Sequence, residues 1–140
     1  MKILVPVDGS ANAQKALETA CNLAKTQGPA DVVLLAVAPN LLDIEEGHLV
    51  ADKLKRQAEN ALAQGKAKAQ EMGVSVSSLM ASGDSVADEI VEAAKKEKAD
   101  LLVLGSRGLG AKTRSFIGST ASKVVTYSPC SVLVVKLQAD

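Results

Sequence analysis

Two hydrophobic periods alternate along this chain. Short runs of consecutive apolar residues, Ile3 to Val7, Asp31 to Ala38 and Leu101 to Leu104, show no polar alternation, as expected of parallel strands buried on both faces. Between them, apolar positions recur every three or four residues. Ala13, Ala16, Leu17, Ala20, Cys21 and Ala24 predict a helix from Ser10 to about Gln27, ended by Gly28 and Pro29. Leu54, Ala58, Ala61, Leu62 and Ala69 stripe a longer helix from about His48 to Met72, with Gly73 as its stop. Val74 to Met80 is broken by serines and predicts a strand nearer the sheet edge. Asp84 or Ser85 then caps a third helix containing Val86, Ile90, Val91 and Ala94, with Asp88 and Glu89 in its first turn and Lys95, Lys96 and Lys98 at its end, a charge order that suits the helix dipole. Ala121 to Tyr127 reads as a fourth helix with Ser119 as N-cap, and Ser131 to Leu137 as a fifth strand. The acidic stretch from Leu41 to Gly47 follows neither period.

Strand and helix therefore alternate from end to end, the pattern of a single α/β domain over residues 1–140, with a parallel sheet and helices on both faces. In such open sheets ligands bind beyond the carboxyl ends of the strands, where strand order reverses. Composition narrows the choice of ligand. Phe116 and Tyr127 are the only aromatic residues, so the core must be aliphatic, and there is neither a stacking platform for nucleic acid nor a sandwich for a flavin. A formal net charge of zero gives no overall drive towards nucleic acid or a membrane surface. No apolar run reaches the roughly 18 residues of a membrane span, and the run from Ile3 is too short for a signal peptide. Cys21 and Cys130 lack CxxC spacing and are expected as reduced thiols, consistent with a cytoplasmic protein. His48, the sole histidine, has no partner at ligand spacing, so no metal site is expected.

The chemistry gathers in one stretch. Residues 105–120, GSRGLGAKTRSFIGST, lie between the strand ending at Leu104 and the fourth helix, and Arg107, Lys112 and Arg114 make them basic. No acidic residue occurs between Asp100 and Asp140, so the local field favours an anion. Glycines here let the backbone approach a ligand closely. The dinucleotide fingerprint fails, because Gly108-Leu109-Gly110 is followed by Thr113 where the third glycine belongs. A P-loop is a near miss, because Ala111 displaces Lys112-Thr113 by one position. What fits without a gap is G-x-x-G, nine residues, then G-S, at Gly105, Gly108, Gly118 and Ser119.

On that motif the chain resembles the ATP-binding branch of the universal stress proteins. ILVPVDGS at 3–10, the segment 82–110 and GSTASKVVTYSPCSVLVVK at 118–136 carry the likeness across nearly the whole chain. It departs at Ala36, where many members have His, and at Ser131, where many have Pro. The resemblance implies strand order 3-2-1-4-5, an adenine nucleotide α-hydrolase-like fold. It implies an adenosine pocket lined by Asp8, the backbone of Pro6 and Val7, Val37, Leu104 and Gly105. Arg107 and Gly108 would border the phosphates, and Gly118, Ser119 and Thr120 would hold them. ATP with magnesium is the implied ligand, and a homodimer through Ser131 to Leu137 the implied assembly. With no lysine in P-loop register and no evident general base, slow hydrolysis at most is expected. A nucleotide-dependent regulator acting on an unidentified protein partner is the expected role. The alternatives are a nucleotide-free dimeric interaction module, which the complete glycine motif opposes, and an adenylyl-transferring enzyme, for which Asp8-Gly9-Ser10 is too slight a loop.

Overall fold

Successive side chains of a strand point to opposite faces, so a run of consecutive buried residues needs cover on both sides. The computed structural model, which describes residues 1–39, 47–107 and 117–137, supplies that cover. In β1 (Lys2–Pro6), Ile3 and Val5 face one apolar cluster and Leu4 the other. β2 (Asp31–Pro39) divides in the same way, with Val32 and Leu34 against Val33 and Leu35. The first cluster is closed by α1 (Ala11–Thr26), through Ala16, Leu17, Ala20 and Cys21, and by α2 (Gly47–Glu71), through Ala58, Ala61 and Ala69. The second is closed by α3 (Val86–Lys96) and α4 (Ser119–Tyr127), which bring Ile90, Val91, Ala94, Ala121 and Val124 onto Leu102 and Leu104 of β4 (Leu101–Gly105). With β3 (Val76–Gly83) and β5 (Ser131–Val135) the sheet is parallel throughout and ordered β3-β2-β1-β4-β5. None of the described helices is long and apolar enough to cross a membrane.

Three elements differ from the sequence reading by two residues or more, each for a tertiary reason. The third strand runs from Val76 to Gly83 instead of 74–80, because β2 carries it in register from Val32–Val76 to Pro39–Gly83, through Ser82 and Gly83 despite their turn-like chemistry. Val74 lies in the capping turn that follows α2. Its N–H reaches back to the Ala69 carbonyl at 2.8 Å while Gly73, at φ +77°, donates to Gln70 at 3.0 Å, a Schellman close that only a left-handed residue permits. The fifth strand stops at Val135, level with Gly105, because β4 ends there and Lys136 and Leu137 have no strand to pair with among the described residues. The fourth helix begins at Ser119, two residues early, and its N-cap is Gly118 in place of the expected Ser119.

Within α2, Gly65 lets the helix settle onto the sheet. A Cβ there would stand 3.0 Å from Leu34 Cδ1 and 3.4 Å from Leu17 Cδ2. Cys21 is fully buried under α1 and Cys130 half-buried before β5, both as free thiols.

Candidate functional site

The opening in the sheet starts from a proline. The Val7 N–H bonds the Leu35 carbonyl at 2.8 Å, so by strand alternation Val5 and Val7 turn their polar groups to β2, while Leu4 and Pro6 turn theirs to β4. Pro6 has no N–H to give. The β1–β4 ladder accordingly registers at Ile3–Leu101 and Leu4–Leu102 and goes no further, although β4 continues to Gly105. This is also where strand order reverses, with β2 on one flank of β1 and β4 on the other.

Six of the predicted residues stand at this end of the sheet. Pro6 closes β1, and Val7 and Asp8 follow it; Val37 lies two positions beyond Leu35, the partner of Pro6; Leu104 and Gly105 close β4. The Val7 and Leu104 side chains are buried in opposite halves of the core, so each offers the crevice only its backbone. Asp8 is exposed, and its Oδ1 accepts the Ser10 N–H at 2.9 Å, bracing the turn at Gly9, where φ is +86°. Ser10 in turn caps α1, its Oγ accepting the Ala13 N–H at 3.1 Å.

Gly105 has a packing reason to be glycine beside the one its motif implies. A Cβ there would lie 2.9 Å from Asn12 Cγ and 3.0 Å from the Asn12 backbone, so the missing side chain makes room for α1. Asn12 is the residue sequence reasoning missed. It is 4% exposed, and its Oδ1 accepts both the Ser106 hydroxyl at 3.1 Å and the Arg107 N–H at 2.7 Å, while its Nδ2 donates to the Val135 carbonyl at 3.0 Å. Ser106, fully buried, donates its own N–H to that same Val135 carbonyl at 2.9 Å. The available signal was an asparagine four residues ahead of Ala16 on an otherwise apolar helix face, since a polar group buried there requires partners.

On the far side of the segment, Gly118 donates its N–H to the Ser106 carbonyl at 2.7 Å. That donor, expected among the phosphate ligands, is therefore taken. Ser119 and Thr120 remain exposed in the first turn of α4, where no helix carbonyl can reach their N–H groups. The three N-caps among the described residues differ. Ser10 and Ser85 each accept the N–H three residues on, whereas Gly118 caps α4 with no side-chain bond. Arg107 lies beside it, half-buried, with its Cα and Cγ 3.7 Å from where a Gly118 Cβ would be. The Arg107 Nε is buried without a hydrogen-bond partner. Gly108, Lys112 and Arg114 lie outside the described residues, as does the acidic stretch 41–46. Among the described residues no three His, Cys, Asp or Glu side chains cluster as a metal site would require.

At the opposite, amino-terminal edge an open groove of about 320 Å³ is lined by Lys2, Asp31, Ser75, Ser77 and Glu97 among others. Lys2 and Glu97 pair there at 3.6 Å, satisfying each other's charge.

Known proteins share this fold. The profile of the universal stress protein family matches residues 1–136. A universal stress protein of Methanocaldococcus jannaschii is 39% identical over 96% of this chain and 81% of its own length. Among solved structures, the universal stress protein UspA from Lactobacillus plantarum superposes with a TM-score of 0.81 at 30% identity, covering 97% of each chain. A universal stress protein solved in complex with cAMP superposes at 0.75 with 26% identity, covering 99% of this chain and 98% of that one. Sequence profile, curated relative and fold agree over almost the full length: the chain belongs to the universal stress protein family.

Proposed function

We propose that this protein binds an adenine nucleotide, ATP with magnesium in its working form, in the crevice between the carboxyl ends of β1 and β4, and that occupancy regulates a partner surface. The observation that carries this reading is the first turn of α4. Among the described residues no side chain caps its N–H groups at Ser119 and Thr120, and they stand at a positive helix end beside Arg107. A phosphate group is the acceptor such a site fits best. The adenosine would lie against the backbone of Pro6, Val7, Leu104 and Gly105, with Asp8 and Val37 at its borders; a relative solved in complex with cAMP supports an adenine nucleotide as the class of ligand. Magnesium would ride on the phosphates and their waters in place of an all-protein cage. Turnover is expected to be slow or absent, because no lysine stands in P-loop register and the sequence offers no evident general base.

The test has two arms. Protein purified without added nucleotide is denatured and the released compounds are identified, and Mg-ATP is titrated into wild type and Gly118→Val by calorimetry. Gly118 has φ −66°, which valine adopts freely, but its Cβ would stand 3.1 Å from the Ser106 carbonyl oxygen and its methyl groups would crowd the α4 terminus. We expect wild type to bind and the variant to lose affinity by about tenfold or more, the scale of losing one or two charge-assisted hydrogen bonds. A folded wild type that neither releases nor binds nucleotide would defeat the proposal and leave a nucleotide-free interaction module.

A further inference from the structure

We infer that Asn12 is the positioning residue for the phosphate end of this site, acting through Ser106 and Arg107 without touching the ligand; this rests on the nucleotide reading above. Both ends of the segment between β4 and α4 are tied to one small network. At its start, Arg107 N–H and Ser106 Oγ both donate to Asn12 Oδ1, at 2.7 and 3.1 Å. At its end, Gly118 N–H donates to the Ser106 carbonyl at 2.7 Å, and the Gly118 carbonyl accepts Ser122 N–H at 2.9 Å to start α4. Ser106 is thus bonded at its hydroxyl, its N–H and its carbonyl, and two of these bonds converge on Asn12 or on the carbonyl that Asn12 also holds. Removing the carboxamide frees the Arg107 N–H, the Ser106 hydroxyl and one lone pair of Val135 together.

The chemistry allows few substitutes. The site needs an acceptor facing two donors and, about two ångströms away on the same planar group, a donor facing a carbonyl. Asparagine supplies both, and the partners fix which way its amide points. Aspartate would set a second anion-like oxygen against the Val135 carbonyl, and glutamine is too long for the contact at Gly105, where Asn12 already fills the space a Cβ would take. Asn12 is buried at the second position of α1, so the rigid helix and sheet hold the carboxamide in place. The anion donors at Ser119 and Thr120 follow directly after Gly118, whose position depends on Ser106. Asn12 therefore sets the distance between Arg107 and the α4 terminus, the two features that flank the phosphates.

The experiment compares affinities for Mg-ATP and for adenosine in wild type, Asn12→Ala and Ser106→Ala, with amide exchange followed on the unliganded proteins. A residue that matters only for stability lowers the melting temperature and leaves the ATP-to-adenosine affinity ratio alone well below melting. Asn12→Ala is expected to cut ATP affinity about tenfold while changing adenosine affinity less than about twofold, with Ser106→Ala showing the same selectivity at a few-fold loss, as one hydrogen bond against two or three predicts. Exchange at the Arg107 and Gly118 amides is expected to quicken about tenfold in Asn12→Ala while Leu34 and Val103 in the sheet centre stay protected. If Asn12→Ala does not fold, Ser106→Ala decides by the same ratio. An unchanged ratio, or losses equal for the two ligands, overturns the assignment. Wild type that binds neither compound overturns the nucleotide reading and this assignment with it, a result visible before any variant is made.

Discussion

At the scale of single residues, small side chains in this fold mark contacts between elements as often as approach to a ligand. Gly105 was legible as a motif glycine, but its physical role depends on Asn12, 93 positions away in sequence, and a linear pattern carries no such distance. Gly105→Ala forces Cβ into the Asn12 side chain and backbone together, and backbone cannot swing aside. We expect a loss of about 1–3 kcal/mol, read as a lower urea midpoint at unchanged slope. Cys21 offers a second residue-level prediction. Burial holds its thiol above the ordinary value of 9.0, against a smaller opposing pull from Lys25 and Lys68. The folded state keeps this proton longer than the unfolded chain does. Its stabilising contribution is therefore complete below pH 9.0 and is lost as pH rises through the folded thiol's higher value. Urea midpoints measured from pH 7 upward should fall more steeply in wild type than in Cys21→Ala once pH exceeds 9.0, after subtracting the Cys21→Ala offset. Native protein should also titrate one fast thiol, the half-buried Cys130, with Cys21 reacting only on unfolding.

Among the elements, legibility followed how local the determining interaction is. Strands β1, β2 and β4 could be read from their apolar runs because double-sided burial leaves no polar alternation, and the helices because one face of each must be apolar. The register of β3 was not legible, since β2 sets it across the sheet, nor was the start of α4, which the Gly118–Ser106 bond sets from another element. Ser85 was legible as one of two possible caps, and the structure selects it through its bond to the Asp88 N–H at 3.3 Å. Ser85→Ala should cost about 1 kcal/mol in chemical denaturation. The same turn carries an inter-helix tie, Lys123 Nζ to Asp88 Oδ1 at 3.0 Å, joining α4 to the first turn of α3. The Lys123 hydrogen bond, helped by its charge and by Ser85, holds the Asp88 carboxyl below 3.8. A lowered carboxylate value stabilises the fold above pH 3.8 and ceases to do so as pH falls through the folded value. Lys123→Ala should return the Asp88 carboxyl towards 3.8 in an NMR titration, and an unmoved titration would show that the pair does not form in solution.

For the whole molecule, alternation of strand and helix was enough to give a parallel sheet covered on both sides, but not the order of its strands, because right-handed crossovers permit several orders. The order came from family likeness, and Pro6, Asn12 and Ser106 then explain how the crevice opens and is tied where that order reverses. The order also exposes two edges of unlike chemistry. β3 presents Ser77, Ser78 and Ser82 to solvent, side chains that water satisfies. β5 presents Leu133 at 38% exposure between half-buried Val132 and Val134, and the helix before it leaves Val125 and Tyr127 exposed at 49% and 64%. An apolar strand with one unpaired side invites a second strand, and a second copy of the chain offers the same surface in return. We therefore expect a homodimer through β5, with β3 remaining in water. Leu133→Glu places a charge on the apolar edge and should shift sedimentation from the mass of two chains towards one, while Ser78→Glu on the other edge should leave the mass unchanged. Wild type sedimenting as a single chain, or Leu133→Glu persisting as a dimer, would remove β5 from the interface. Because Val135 of β5 accepts both Asn12 Nδ2 and Ser106 N–H, the expected dimer edge and the proposed phosphate end would share an anchor, and Mg-ATP should tighten dimerisation in wild type more than in Asn12→Ala.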